Sequence, residues 1–226
     1  MADAHDLWVF AYGSLMWRPG FECADAAHAR LIGWRRSFCI YSHHYRGSPR
    51  RPGLVLGLDR GGTCEGMAFR VSAESTAETL RYLRAREQVI PVYREALVPV
   101  TLMTGERPEV MALAFLVERA HPSYAGALPL ARQMQLIRGA AGQAGSNIDY
   151  LVSTLAHLAE LGIRERELER LLGLVGAHLA RGKAEDHARP GARALMQACG
   201  RRPVRAPRFR PEDAHRFGYR TVLSAR

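Results

Sequence analysis

Six short apolar runs fill roughly the first half of this chain, and helical spacing takes over only after His121-Pro122. The runs are Leu7–Ala11, Leu31–Tyr41, Gly53–Leu58, Gly66–Val71, Leu97–Leu102 and Val110–Leu116. Turn chemistry separates them, including Gly61-Gly62, Thr104-Gly105 and the stretch from Gly47 to Pro52, so each reads as a strand. One helix interrupts the series, from about Thr76 to Gln88. Beyond His121, Pro129 is placed to open a helix running to about Ala141. Ser146, with Asp149 three residues on, resembles a capping box opening a further helix to about Leu161. A last helix spans Glu165 to Ala180, with Leu168, Leu171, Leu172, Val175 and Leu179 on one stripe. Strands first and helices later, without a repeated βαβ unit, predict an α+β fold.

Composition narrows the function classes. With 226 residues, 47% of them apolar, the chain can build a full core. No apolar run approaches the ~20 residues of a membrane span, and the N-terminus lacks the basic flank and apolar core of a secretory signal. Cys23, Cys39, Cys64 and Cys199 are scattered, which reads as four reduced thiols of a cytoplasmic protein. The net charge of +10 is uneven: residues 183–226 hold eleven Lys/Arg against four Asp/Glu. Two regions are therefore expected, a folded domain over 1–182 and a basic Arg/Pro/Gly-rich extension over 183–226. The extension matches no nucleic-acid module, so nucleic acid is disfavoured as a partner.

Two segments carry chemistry. Glu87 falls four residues after Leu83 and seven after Leu80, which sets a carboxylate on the apolar face of its helix. A buried carboxylate at a helix C-terminus has its pKa pushed up and becomes a useful proton acceptor and donor near neutrality. The same spacing also fits a helix already ended, with Glu87 paired to Arg86 or Arg94 at the surface. The second segment is Tyr12-Gly13-Ser14-Leu15 at the end of the first strand. There Gly13 allows close backbone approach to a ligand, and free N–H groups can hold a carboxylate or oxyanion; a plain turn fits as well. No glycine stands two before Ser14, so this is no serine-hydrolase elbow. His43-His44 has poor metal-ligand spacing, and no H-E-x-x-H, P-loop or dinucleotide fingerprint occurs. No metal or cofactor is expected.

In order along the chain, several stretches together resemble the ChaC family of glutathione-specific γ-glutamylcyclotransferases. They are Val9 to Pro19, Arg36-Ser37-Phe38, Arg46-Gly47, Pro52-Gly53, Cys64 to Arg70, Tyr82-Leu83 with Arg86-Glu87, and Tyr93. His121 to Tyr124, Ala140-Ala141-Gly142, Gly145-Ser146-Asn147 and Tyr150-Leu151 complete the set, which covers roughly residues 7–180. Ala11 stands where many members have glycine, and Tyr45 replaces a histidine before Arg46-Gly47. The resemblance implies a γ-glutamylcyclotransferase-like mixed β-barrel with flanking helices, and cleavage of glutathione to 5-oxoproline and cysteinylglycine without a cofactor. It also implies Glu87 as acid/base, with Val9, Phe10, Ala11, Tyr12, Gly13 and Ser14 lining the γ-glutamyl pocket and Leu15 adjoining. Two alternatives stay open: cyclisation of other γ-glutamyl compounds, and a non-catalytic protein that senses a γ-glutamyl metabolite. Oligomeric state is left open.

Overall fold

A computed structural model describes residues 6–87 and 92–188, with side chains as far as Ala180. The elements are β1 (Leu7–Ala11), a single helical turn (Ser14–Met16), β2 (Asp25–Ser42), β3 (Gly53–Val71), α1 (Ala73–Glu87), β4 (Tyr93–Leu102) and β5 (Glu109–Val117). These are followed by α2 (Leu130–Ile137), a two-residue hairpin of β6 (Ala141–Gly142) and β7 (Gly145–Ser146), α3 (Asn147–Glu160) and α4 (Arg166–Ala188). Contacts divide the chain into two units, Met1–Ala180 and Arg181–Arg226, and the barrel described here belongs to the former.

The five long strands close into a barrel in the order β1-β3-β2-β4-β5. Neighbours in this order run antiparallel, and the barrel closes through parallel pairings to β5: from β1, with Trp8 opposite Ala112 and Val9 opposite Leu113, and from β3, with Leu58 opposite Leu116. Closure satisfies the backbone groups that an open edge would leave bare. It also explains β1: Val9, Phe10 and Ala11 are all fully buried, because this strand is covered on both faces. The expected α+β mixed barrel is therefore what the chain forms.

Gly61-Gly62 does not separate two strands, as the sequence suggests: β3 runs unbroken through it for 19 residues against the 18 of β2. The pairing passes from Ile32↔Thr63 to Trp34↔Arg60, so Gly33 faces two glycines and the ladder carries a bulge. All three have positive φ (85°, 96° and 76°), a conformation that a side chain would resist. The glycines bend the ribbon and do not end it.

The helices pack on the barrel through apolar stripes. Leu83 of α1, Ile137 of α2, Leu151 and Leu158 of α3, and Leu171 and Val175 of α4 join one core with Phe10, Phe38 and Phe115. Ser146 caps α3 as expected, its hydroxyl accepting from the Asp149 N–H at 3.0 Å. The helix after Pro129 stops at Ile137, short of Ala141, because the chain turns there into the β6–β7 hairpin. Helix α4 runs past the expected Ala180 to Ala188, with Leu179 43% exposed at the end of its stripe. The basic extension expected over 183–226 lies outside the described residues beyond Ala188, as does Cys199. Cys39 and Cys64 are buried free thiols and Cys23 is an exposed one. Among the described residues no helix is long and apolar enough to cross a membrane.

Candidate active site

The barrel registers bring several chain ends to one rim. Strand β1 stops at Ala11 opposite Met67, so β3 continues beyond it down to Gly53, where it pairs with the end of β2. The start of β4 meets the end of β5 at the same rim, Tyr93 opposite Val117. Around this rim the chain leaves β1 through Tyr12, ends α1 at Glu87 and begins α3 at Asn147.

The stretch after β1 is held from behind. The Tyr12 ring is 8% exposed and its hydroxyl donates to the Phe115 carbonyl at 3.1 Å. The side chain of Arg36, from β2, is wholly buried. It donates Nε to the Tyr12 carbonyl at 2.6 Å and Nη2 to the Glu65 carbonyl, and Nη1 pairs with Glu165 ahead of α4. A buried guanidinium is tolerable only with its donors occupied, and here three acceptors fix the Tyr12 peptide between them. Gly13 then opens the Ser14–Met16 turn with no side chain capping it. Such a turn leaves its leading N–H groups without acceptors inside the turn. A Cβ on Gly13 would come within 3.7 Å of the Tyr150 hydroxyl, so its bare backbone faces that group.

Glu87 closes α1. Its side chain is 19% exposed, and burial raises its pKa above the ordinary carboxylate value, while the neighbouring Arg86 pulls it back down. Tyr93 and Tyr150 stand nearby. The Tyr93 hydroxyl donates to the Leu56 carbonyl at 2.9 Å. Burial pushes Tyr12 and Tyr93 well above the usual tyrosine value, and Tyr150 to about 12. All three stay neutral near pH 7. The hydroxyl protons of Tyr12 and Tyr93 are already committed to backbone carbonyls, so their oxygens are left as acceptors. Arg46, from the loop between β2 and β3, lies over the Tyr150 ring at 5.0 Å and donates Nη1 to the Ser146 carbonyl at 3.2 Å.

These groups line a cavity of about 400 Å³. Tyr12, Gly13, Ser14 and Leu15 form one wall, Glu87 and Tyr93 a second, and Tyr150 and Arg46 a third. Val9, Phe10 and Ala11, placed in the pocket by the resemblance, lie instead inside the barrel and do not line the cavity. The surface reading of Glu87 does not hold: the carboxylate is largely buried, with Arg86 beside it. Sequence reasoning left Arg46, Tyr93, Tyr150 and Arg36 out of the site. All four lie in segments that carry the family resemblance, but they come from four separate elements. Among the described residues no group of His, Cys, Asp or Glu is placed to hold a metal ion.

A closed mixed barrel with one buried acid facing a glycine turn across a tyrosine-lined cavity is the γ-glutamylcyclotransferase-like fold. The crystal structure of a γ-glutamylcyclotransferase specific to glutathione, from yeast, matches it with a TM-score of 0.70 over 76% of this chain and 96% of that one, at 21% identity. The sequence model of ChaC-like proteins matches residues 7–178, and the chain belongs to that family. It is 33% identical to the glutathione-specific γ-glutamylcyclotransferase of Escherichia coli over 189 residues, covering 84% of this chain and 81% of the relative. It is equally similar, at 33% over 179 residues, to human glutathione-specific γ-glutamylcyclotransferase 1, covering 77% and 79%.

Proposed function

We propose that this chain cleaves glutathione to 5-oxoproline and cysteinylglycine, with Glu87 as acid/base and the Tyr12–Leu15 turn holding the γ-glutamyl group. Membership of the ChaC-like family and the names of its relatives supply the substrate class. The observation that carries the mechanism is the largely buried Glu87 carboxylate on the wall of a cavity otherwise rich in neutral hydroxyls.

The reaction needs no outside nucleophile. The γ-glutamyl α-amine attacks its own γ-carbonyl, forming a C–N bond that closes a five-membered ring. An ordinary α-amine titrates near 8, so the substrate arrives mostly as ammonium. Glu87 takes one of its protons, and the hydroxyl oxygens of Tyr12 and Tyr93 can accept hydrogen bonds from the same group. As the tetrahedral intermediate collapses, the bond to the cysteinyl nitrogen breaks and Glu87 gives its proton to that nitrogen, which cannot leave as an anion; the ring nitrogen then sheds its second proton to the freed Glu87 carboxylate, which passes it to the departing amine or to water, leaving a neutral lactam. Leading N–H groups of the turn at Gly13 face the substrate carboxylate or the developing oxyanion. Arg46 supplies positive charge for a substrate carboxylate. Holding amine and carbonyl in contact lowers the barrier by roughly 7–11 kcal/mol, so the chemistry proceeds on this chain's own groups. Val9, Phe10 and Ala11 serve as the packed backing of the turn. Free thiols at Cys23, Cys39 and Cys64 fit a reducing compartment, which we take to be the cytoplasm.

The test is 5-oxoproline release from glutathione and from γ-glutamyl-alanine by the full chain. Glutathione should turn over faster by ~10-fold or more, since the alternative lacks the thiol and the glycine carboxylate that the cavity would contact. Equal rates would move the assignment to a broader γ-glutamyl specificity. Binding without turnover of either compound would leave a sensor of γ-glutamyl metabolites.

A further inference from the structure

Arg86 immediately precedes Glu87, and its guanidinium is shared between α1 and the turn that follows β1. Nε lies 3.2 Å from Glu87 Oε1. Nη2 donates to Ser14 Oγ at 3.0 Å. Nη1 donates to the Tyr82 hydroxyl at 2.8 Å, one helical turn back, and to the Arg18 carbonyl just past the turn. A guanidinium is planar, with its donors in a fixed fork, so groups bound to different nitrogens are held in fixed relation to each other. One rigid group thus spans the two walls that must meet across a substrate: the carboxylate that moves the proton, and the turn that holds the γ-glutamyl end.

We propose that Arg86 is a positioning residue, clamping the Glu87 carboxylate and the Ser14 turn into one geometry; this rests on Glu87 as the acid/base. Glu87 is the last described residue of α1. The groups that face it are Arg86 from α1, Tyr12 from the end of β1, Tyr93 from β4 and Tyr150 from α3. The three tyrosines are neutral near pH 7, so Arg86 supplies the positive charge set against the cost of burying Glu87. Position and charge are coupled through the same side chain. A spacer that merely filled space would influence neither.

The experiment follows the Glu87 side-chain carboxyl by ¹³C NMR titration in the full chain, beside kcat for 5-oxoproline release. Wild type is compared with Arg86→Met, Arg86→Lys, Ser14→Ala and the double variant Arg86→Met/Ser14→Ala. Arg86→Met should raise the Glu87 pKa by roughly one pH unit or more and lower kcat by ~10²-fold. Arg86→Lys should bring the pKa back toward wild type but not the rate, because a point charge cannot bridge Glu87 and Ser14 at once. Ser14→Ala should lower kcat, and its effect should shrink in the Arg86→Met background, since both remove one clamp. An unmoved Glu87 pKa in Arg86→Met overturns the proposal, as does a wild-type rate in Arg86→Lys or a pair of losses that simply multiply. Should Arg86→Met fail to fold, Arg86→Lys and Ser14→Ala decide the matter by the same criteria. The titration needs no turnover. A chain inactive on glutathione would therefore sink the acid/base reading while still deciding whether Arg86 holds Glu87.

Discussion

Glu87 brings a carboxylate to a wall made largely of tyrosine rings, and this placement has two consequences that can be measured. Burial raises its pKa, so near neutrality a charge that water solvates in the unfolded chain is poorly solvated in the folded state. For a carboxyl raised on folding, the group favours the folded state below its unfolded value, about 4.3, and loses that advantage as pH rises through the folded value. Glu87→Gln should therefore match or exceed wild type in melting temperature at pH 7, and the difference should close below about pH 4. The same variant should lose kcat by at least ~10²-fold, because one group is asked to serve both proton transfers. In the wild type the acid limb of kcat/KM should lie above the ordinary carboxylate range, and an alkaline limb should follow the substrate amine near ~8. Near-normal turnover by Glu87→Gln would remove this residue from the chemistry. Its place on the apolar face was legible from its offsets to Leu80 and Leu83. Its pairing with Arg86 reads in the sequence only as a surface contact, since adjacency does not say whether a pair is buried.

Helix α3 illustrates how elements, more than single residues, build the cavity. Ser146 caps it, while Asn147, fully buried, ties its first turn to the start of β3. The Asn147 side chain accepts from the Leu54 N–H at 2.6 Å and donates to the Leu54 carbonyl at 2.7 Å, as a neighbouring strand would. That contact sets the helix against the barrel and so places Tyr150 on the cavity wall. Ser146→Ala should cost about 1 kcal/mol of stability, the usual worth of a cap. Asn147→Ala should cost more, roughly 2–4 kcal/mol, because it strands a buried donor and acceptor at about 1–3 kcal/mol each. Denaturant unfolding of both variants measures the order, and equal losses would contradict this account of the anchor. The cap was visible in the sequence as serine with aspartate three residues on. The Asn147–Leu54 pair was not, for it joins residues 93 apart with no local pattern to mark it. The bulge at Gly33 was likewise hidden, because glycine pairs signal a turn as readily as a bend within a ladder.

At the scale of the whole molecule, a small closed barrel gathers its functional groups at the rim where β1 stops. The strand and helix order was readable from apolar spacing, and the family from colinear segments. What spacing could not separate was the strand from its exit. Val9 to Leu15 form one continuous stretch of resemblance, yet the first three residues belong to the core and the last four to the cavity. Burial on both faces of β1 decides that division, and it follows from closure with β5, far along the chain. The net charge of +10 lies mostly beyond residue 182. The central claim is that glutathione is opened by its own amine on this chain. The direct measurement is NMR identification of the products formed from glutathione and from N-acetyl-glutathione. The account predicts 5-oxoproline and cysteinylglycine in equal amounts from glutathione, and no cleavage of the acetylated compound. Free glutamate among the products, or cysteinylglycine released from N-acetyl-glutathione at a comparable rate, would make water the nucleophile and contradict it.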